Sequence, residues 1–382
     1  MVVRPVRLAL IAGVTLSLVA AGVVTATHSS AAPACGTGSF NAEAVRSGNT
    51  WTSRNGSRTV YTGSDMRSAM LAALNSLTPN RRTQQRVVVR GSGDISANVS
   101  VQLQSYTTLD VCGTINVTGT GTGDRSPLYA RNATNIEITH VRMTGTPVYG
   151  IFMRSVANLT LREIDLRLSR GLGIRIDNFH NRAVLTRNTV IENVYVSGTS
   201  DNGVETAGLD GVRIGTVVAR NTGHAGLLLN SSINVTVGSV DGSGAGTGTG
   251  YAAFRMANRN GRVGNSYPTN IRVGSVKARG GGRGIFCVSE SGGAVIDHVD
   301  LMDTGGHAIL LENCHNTTIA AVSGTVGNGE EIRIASRTQF AASSGNVIQN
   351  LTVRNTPIRL SPCGSRNVIR NVTRVNSSLS WC

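Results

Sequence analysis

An asparagine-led motif recurs at a fixed step, and a step of this length admits few folds. Asn135-Ile136-x-Ile138-x-x-Val141-x-Met143 is followed 23 residues later by Asn158-Leu159-x-Leu161-x-x-Ile164-x-Leu166. The same apolar spacing returns at Asn234-Val235-x-Val237-x-x-Val240 and at Asn270-Ile271-x-Val273-x-x-Val276. Gly211, Gly293 and Asn316 begin further repeats, and the steps 211 to 234, 270 to 293 and 293 to 316 are again 23 residues. Repeats of this kind stack as the coils of a solenoid, each covering its neighbour's apolar side. Within each repeat, apolar residues alternate over short runs, which is the strand period. A third run follows a glycine turn, as in Gly150-Ile151-Phe152-Met153, Gly173-Ile174-Arg175-Ile176, Gly203-Val204-Glu205-Thr206 and Gly226-Leu227-Leu228-Leu229. It continues through Ala253-Phe254-Arg255-Met256, Gly284-Ile285-Phe286-Cys287 and Ala308-Ile309-Leu310-Leu311. Three short strands per repeat, rich in β-branched residues, predict an all-β fold, a right-handed parallel β-helix. The asparagine at each repeat start reads as a structural ladder at a turn, its amide bonding the backbone of neighbouring coils.

The ends fit a solenoid. Asp65 to Leu74 reads as an amphipathic helix with an acidic start, suited to cover the open N-terminal end of the core. Residues 35–60 read as irregular, and Gly242 to Gly250 as a mobile Gly/Thr/Ser insertion in one coil. Arg4 and Arg7, the apolar stretch from Leu8 to about Ala26 and the small-x-small site Ala32-Pro33-Ala34 have the layout of a secretory signal peptide, residues 1–34. The remaining chain, 35–382, reads as one domain with no membrane-spanning segment. Its six cysteines suit disulfides in an exported protein, and Cys35–Cys112, Cys287–Cys314 and Cys363–Cys382 are the expected pairs. No CxxC or His-rich spacing points to zinc. The formal net charge is +15 and Lys277 is the single lysine, so nearly all the positive charge is arginine. Arginine grips carboxylates with two parallel hydrogen bonds. For an exported protein this favours an acidic polysaccharide as partner over nucleic acid or a membrane, and the chain reads as a monomer.

The coils, the N-terminal helix and the leader together resemble the pectin lyase-like superfamily over most of the chain. That superfamily holds pectate lyases, polygalacturonases, alginate lyases, epimerases and phage tailspikes, so the fold alone does not give a reaction. Ser200-Asp201-Asn202-Gly203-Val204 resembles the polygalacturonase segment with paired aspartates, and Thr222-Gly223-His224-Ala225-Gly226-Leu227 resembles that family's Gly-His-Gly segment one coil later. The resemblance puts Asp201 in an aspartate's place and His224 in the histidine's. The chain departs from the family at three points. Asn202 stands for the second aspartate, Arg170-Gly171-Leu172-Gly173 lacks a further one, and of the Arg-x-Lys tripeptide only Arg255 is near.

The register gathers these residues. Asp201 and His224 each lie two residues before a turn glycine, and Tyr251 takes the same place in the next coil. Coils about 4.8 Å apart would align the three on one face. The middle residues of the third strand run outward as Phe152, Arg175, Glu205, Leu228, Arg255, Phe286, Leu310, Arg333 and Arg359. This sets an Arg175–Glu205–Arg255 patch beside Asp201, His224 and Tyr251. Asp177 sits near enough to add a carboxylate, and Phe152 and Phe286 read as rings for sugars to stack on. His307 and Glu312 lie farther along, and Lys277 is on another strand. Two reactions use these groups. In β-elimination, Arg175 and Arg255 neutralise a uronate carboxylate, His224 takes the adjacent proton, Asp201 orients it and Tyr251 protonates the leaving oxygen. In inverting hydrolysis, Asp201 and Glu205 form the acid–base pair. Elimination makes better use of the arginines and tolerates the missing aspartates. An epimerase and a non-catalytic glycan-binding solenoid remain as alternatives. The residues themselves call for no cofactor, while resemblance to pectate lyases implies calcium.

Overall fold

The computed structural model describes residues 33–179 and 185–382. The expected leader, 1–34, falls almost wholly outside them, and Ala32–Cys382 form one compact unit. The chain builds a parallel β-solenoid. From Gln85 onward every ladder between the main strands is parallel, with each strand pairing to its counterpart one coil later. Ile151, Ile174, Val204, Leu227, Phe254 and Ile285 stack as successive partners and are fully buried inside. The neighbouring column Phe152, Arg175, Glu205, Leu228, Arg255 and Phe286 has the register read from the sequence.

The repeat-start asparagines have a conformational reason. Asn135, Asn158, Asn234 and Asn316 sit at φ +57°, +53°, +54° and +48°. This left-handed region disfavours most L-residues, but a short amide tolerates it. Gly211 and Gly293 start other coils at φ +79° and +64° for the same reason. The ladder bonds are partly amide to amide, not only to backbone: Asn158 Nδ2 donates to Asn135 Oδ1 at 3.1 Å and Asn188 Nδ2 to Asn158 Oδ1 at 2.9 Å.

The expected helix forms as α1, Met66–Asn75, with Asp65 as its N-cap accepting from Ser68 N at 2.7 Å. Met66, Ala69, Met70, Ala73 and Leu74 join the solenoid core. The segment read as irregular is instead an antiparallel meander, β1 Ala42–Ser47, β2 Thr50–Asn55 and β3 Arg58–Gly63. Strand β1 also pairs in parallel with Gln85–Arg90, so the meander extends the first coil. All three expected disulfides are present. No helix among the described residues is long and apolar enough to cross a membrane.

Candidate functional site

The turn before the third strand carries the candidate site. Pairing of Val204 with Leu227 and of Leu227 with Phe254 puts Asp201, His224 and Tyr251 at one height on three successive coils. The Gly242–Gly250 insertion therefore leaves the register intact. His224 Nδ1 lies 2.8 Å from Asp201 Oδ1. When Asp201 is a carboxylate, Nδ1 is the nitrogen that donates to it, which in a neutral ring makes Nε2 the acceptor. Tyr251 stacks on the His224 ring with centroids 4.2 Å apart at 18°. Both dyad members reach solvent, at 44% exposure for the Asp201 side chain and 34% for His224.

Concavities flank this stack. On one side, about 210 Å³ is lined by Thr120, Thr146, Tyr149, Arg170, Ser200 and Asp201. On the other, about 360 Å³ is lined by Tyr251, Arg255, Arg283, His307, Glu312, Arg333 and Arg337, among others. The Arg255 guanidinium lies 4.6 Å from the Tyr251 ring centre and 5.3 Å from that of Phe286, and Arg283 covers Phe286 at 4.7 Å. Neither arginine forms an ion pair with a described residue, and the Nε of each is buried without a hydrogen-bond partner. Burial lowers the pKa of both; Tyr251 chiefly opposes this for Arg255, and Glu312 for Arg283. Cation–ring contacts contribute about 1 kcal/mol each, whereas withdrawing a charge from water costs several. The pocket thus carries an unanswered positive charge that an anion would satisfy. Arg337 Nε pairs with Glu312 at 2.6 Å, and Arg333 Nε stands 3.9 Å from Glu331. His307 Nε2 lies 3.4 Å from Glu331, its Nδ1 is buried without a partner, and burial followed by Arg283 lowers its pKa.

Five residues expected to meet substrate lie underneath instead. Arg175 binds Asp177 at 2.8 Å and Glu205 at 3.2 Å. Asp177 is 2% exposed and takes a two-pronged grip from Arg154, at 2.7 and 2.9 Å. Burial favours the neutral acid at Asp177, but Arg154 and Arg175 outweigh it and hold its pKa below the ordinary value. Burial likewise opposes the charge of Arg175, and Glu205 and Asp177 more than offset it. Glu205, its side chain 6% exposed, also accepts from Asn202 and Asn230. Its oxygens are occupied, which removes it as a free acid or base. Asn202, in the second aspartate's place, is buried and accepts from Ala225 N at 2.9 Å. Phe152 is fully buried against Tyr129, Tyr149 and Arg154. Phe286 is buried in a small apolar cluster with Leu228 and Leu310 that lies outside the solenoid core. Neither phenylalanine offers sugars an open face. Of the expected substrate-binding residues, only Arg255 lines a cavity with its charge unpaired. Arg283 and Arg337 escaped the sequence reading because they stand off the third-strand column.

A concavity of about 850 Å³ lies on other strands and is lined by His140, whose Nδ1 is 2.8 Å from Asp110 beneath it. Asp110 is fully buried, pairs with Arg86 and accepts from Gly36 N at 2.9 Å, next to the Cys35–Cys112 disulfide. These contacts pin the N-terminal segment to the first coils and give this dyad a structural role. Cys35, Asp110 and His140 are the one described trio near enough to share a metal ion. They do not fit one: the cysteine sulfur is held in the disulfide and an arginine neutralises the carboxylate. Calcium would need several free oxygens, and at the candidate site Glu205 is occupied while Asp201 serves His224.

No protein-family model and no curated protein matches the chain. Solved structures with a similar chain path include the A-modules of the Azotobacter vinelandii mannuronan C-5 epimerases AlgE4 and AlgE6. The first is 13% identical with a TM-score of 0.49, covering 84% of this chain and 94% of its own. The second is 12% identical with a TM-score of 0.37, covering 84% and 96%. At such identities the likeness concerns the fold alone.

Proposed function

We propose that the protein cleaves an acidic, uronate-containing polysaccharide by β-elimination. The observation that carries this reading is the Asp201–His224–Tyr251 stack with the unpaired Arg255 next in line. Arg255 binds the uronate carboxylate and thereby acidifies the proton on the neighbouring carbon. His224 Nε2 takes that proton, and Asp201 keeps the imidazole in the required tautomer. The electron pair left behind forms the carbon–carbon double bond as the glycosidic carbon–oxygen bond breaks. Tyr251 gives the leaving oxygen its proton.

Two features favour elimination over its neighbours. Inverting hydrolysis needs two free carboxyl groups with room for water between them. Here Asn202 is an amide and Glu205 is occupied. Epimerisation needs a donor on the far face of the sugar, whereas His224 and Tyr251 stack on the same side. The leader and the disulfides suit a secreted monomer whose partner is the polysaccharide.

The test is a panel of polygalacturonate, polymannuronate and polyguluronate, followed for far-ultraviolet absorbance of an unsaturated product and for new reducing ends. Both signals should rise together on at least one polymer. Reducing ends without the absorbance would instead favour hydrolysis. Binding without either signal would make the protein a glycan-binding solenoid.

A further inference from the structure

The pocket beyond Tyr251 contains more positive charge than one carboxylate can answer. Four of its lining residues are arginines; Glu312 pairs with Arg337 and Glu331 stands 3.9 Å from Arg333, which leaves Arg255 and Arg283 without a carboxylate among the described residues. Elsewhere the protein pairs its sheltered arginines generously: Arg154 holds Asp177 and Asp124, and Arg162 holds Glu137 and Glu192. Arg255 and Arg283 lack any such partner among the described residues, and their buried Nε atoms are unsatisfied. They also stand on successive coils, since Ala252, three residues before Arg255, pairs with Arg283. Arg333 lies three coils beyond Arg255 in its own column, through Phe286 and Leu310. Three coil spacings come to roughly 14 Å, far more than one carboxylate spans.

We propose that Arg283, with Arg333 and Arg337, forms a second anion subsite, which takes the carboxylate of another uronate of the chain whose reacting unit is held at Arg255. Unpaired guanidinium groups on consecutive coils match a polymer whose charged sugars follow one another. A chain that alternates charged and neutral sugars would leave one of the two unanswered. The preferred substrate is therefore a block of contiguous uronates. This rests on the acidic-glycan part of the reading above and not on the elimination step.

Calorimetric titration at one fixed ionic strength tests it. The probes are tetrasaccharides of galacturonate, mannuronate and guluronate, with a hyaluronan tetrasaccharide as the alternating chain. Wild type should bind at least one contiguous probe 10-fold or more tightly than hyaluronan, and Arg283→Gln should close that gap. Arg333→Gln serves as the second variant should Arg283→Gln fail to fold by circular dichroism. Equal affinity for the two kinds of chain, no binding of any probe, or an undiminished gap in the folded variants would overturn the second subsite. A gap that depends on Arg283, found with a hydrated product, would sink the elimination reading and leave the subsite standing.

Discussion

Asp177 and His224 are polar residues at opposite ends of the third strand in their coils, and their surroundings give them opposite tasks. Asp177 is held between Arg154 and Arg175 under cover. Asp177→Ala would strand two sheltered positive charges, and the expected loss is about 3–5 kcal/mol by urea denaturation. His224 is accessible and has one carboxylate partner. His224→Ala should abolish turnover while leaving the thermal midpoint nearly unchanged; a large fall in that midpoint would mark a structural histidine. Tyr251→Phe keeps the ring stack and removes the hydroxyl, so a loss of roughly 10²-fold or more in kcat would assign the acid role to the oxygen. His307 gives a pH signature. Its folded pKa is lowered, so the folded state binds its proton less readily than the unfolded state. That contribution to stability is complete above the unfolded histidine value of about 6.5 and is lost as pH falls below it. His307→Gln should flatten part of the fall in melting temperature between pH 8 and pH 5. The column containing Arg175, Glu205 and Phe152 was legible in the sequence because the strand period fixes it. What covers that column was not, since Tyr149 and Arg154 reach Phe152, Asp177 reaches Arg175 and Asn202 reaches Glu205 with side-chain geometry that no period encodes.

The coil is the element that turns spacing into position. Asn135, Asn158 and Gly211 mark its left-handed corners, which is why asparagine and glycine alternate at repeat starts. The turn glycines are constrained by close approach rather than by φ. A Cβ on Gly203 would stand 2.7 Å from Gly226 O and 2.8 Å from a Val196 methyl. Gly203→Ala should push neighbouring coils apart, lower stability and shift Asp201 two residues away. Reduced activity beyond the stability loss, measured at a temperature where the variant stays folded, checks the coupling. The meander β1–β3 escaped the sequence reading because its strands are short and rich in polar residues. Its inward side, Ala42, Ala44, Trp51 and Ser53, is buried nonetheless.

At the scale of the molecule, the solenoid is a scaffold that lays one residue per coil along a line. Helix α1 covers the N-terminal end of its core, and the Cys35–Cys112 link ties the first described residues to Thr107–Thr118, the strand one coil beyond Gln85–Arg90. Replacing both cysteines by serine should lower stability by roughly 2–4 kcal/mol, seen as a lower melting temperature. Along that line, Asp201, His224, Tyr251 and Arg255 lie on three successive coils, with further arginines beyond. The arrangement makes sense for a charged polymer lying parallel to the solenoid axis. The central claim is that His224 removes a proton so that the glycosidic bond breaks without addition of water. Mass spectrometry of the oligosaccharides released from a cleaved polyuronate tests this directly. The expected products carry an unsaturated end, lack the elements of water relative to hydrolytic fragments, and disappear with His224→Ala. Fully hydrated fragments, or unsaturated ones that persist in that variant, would contradict it.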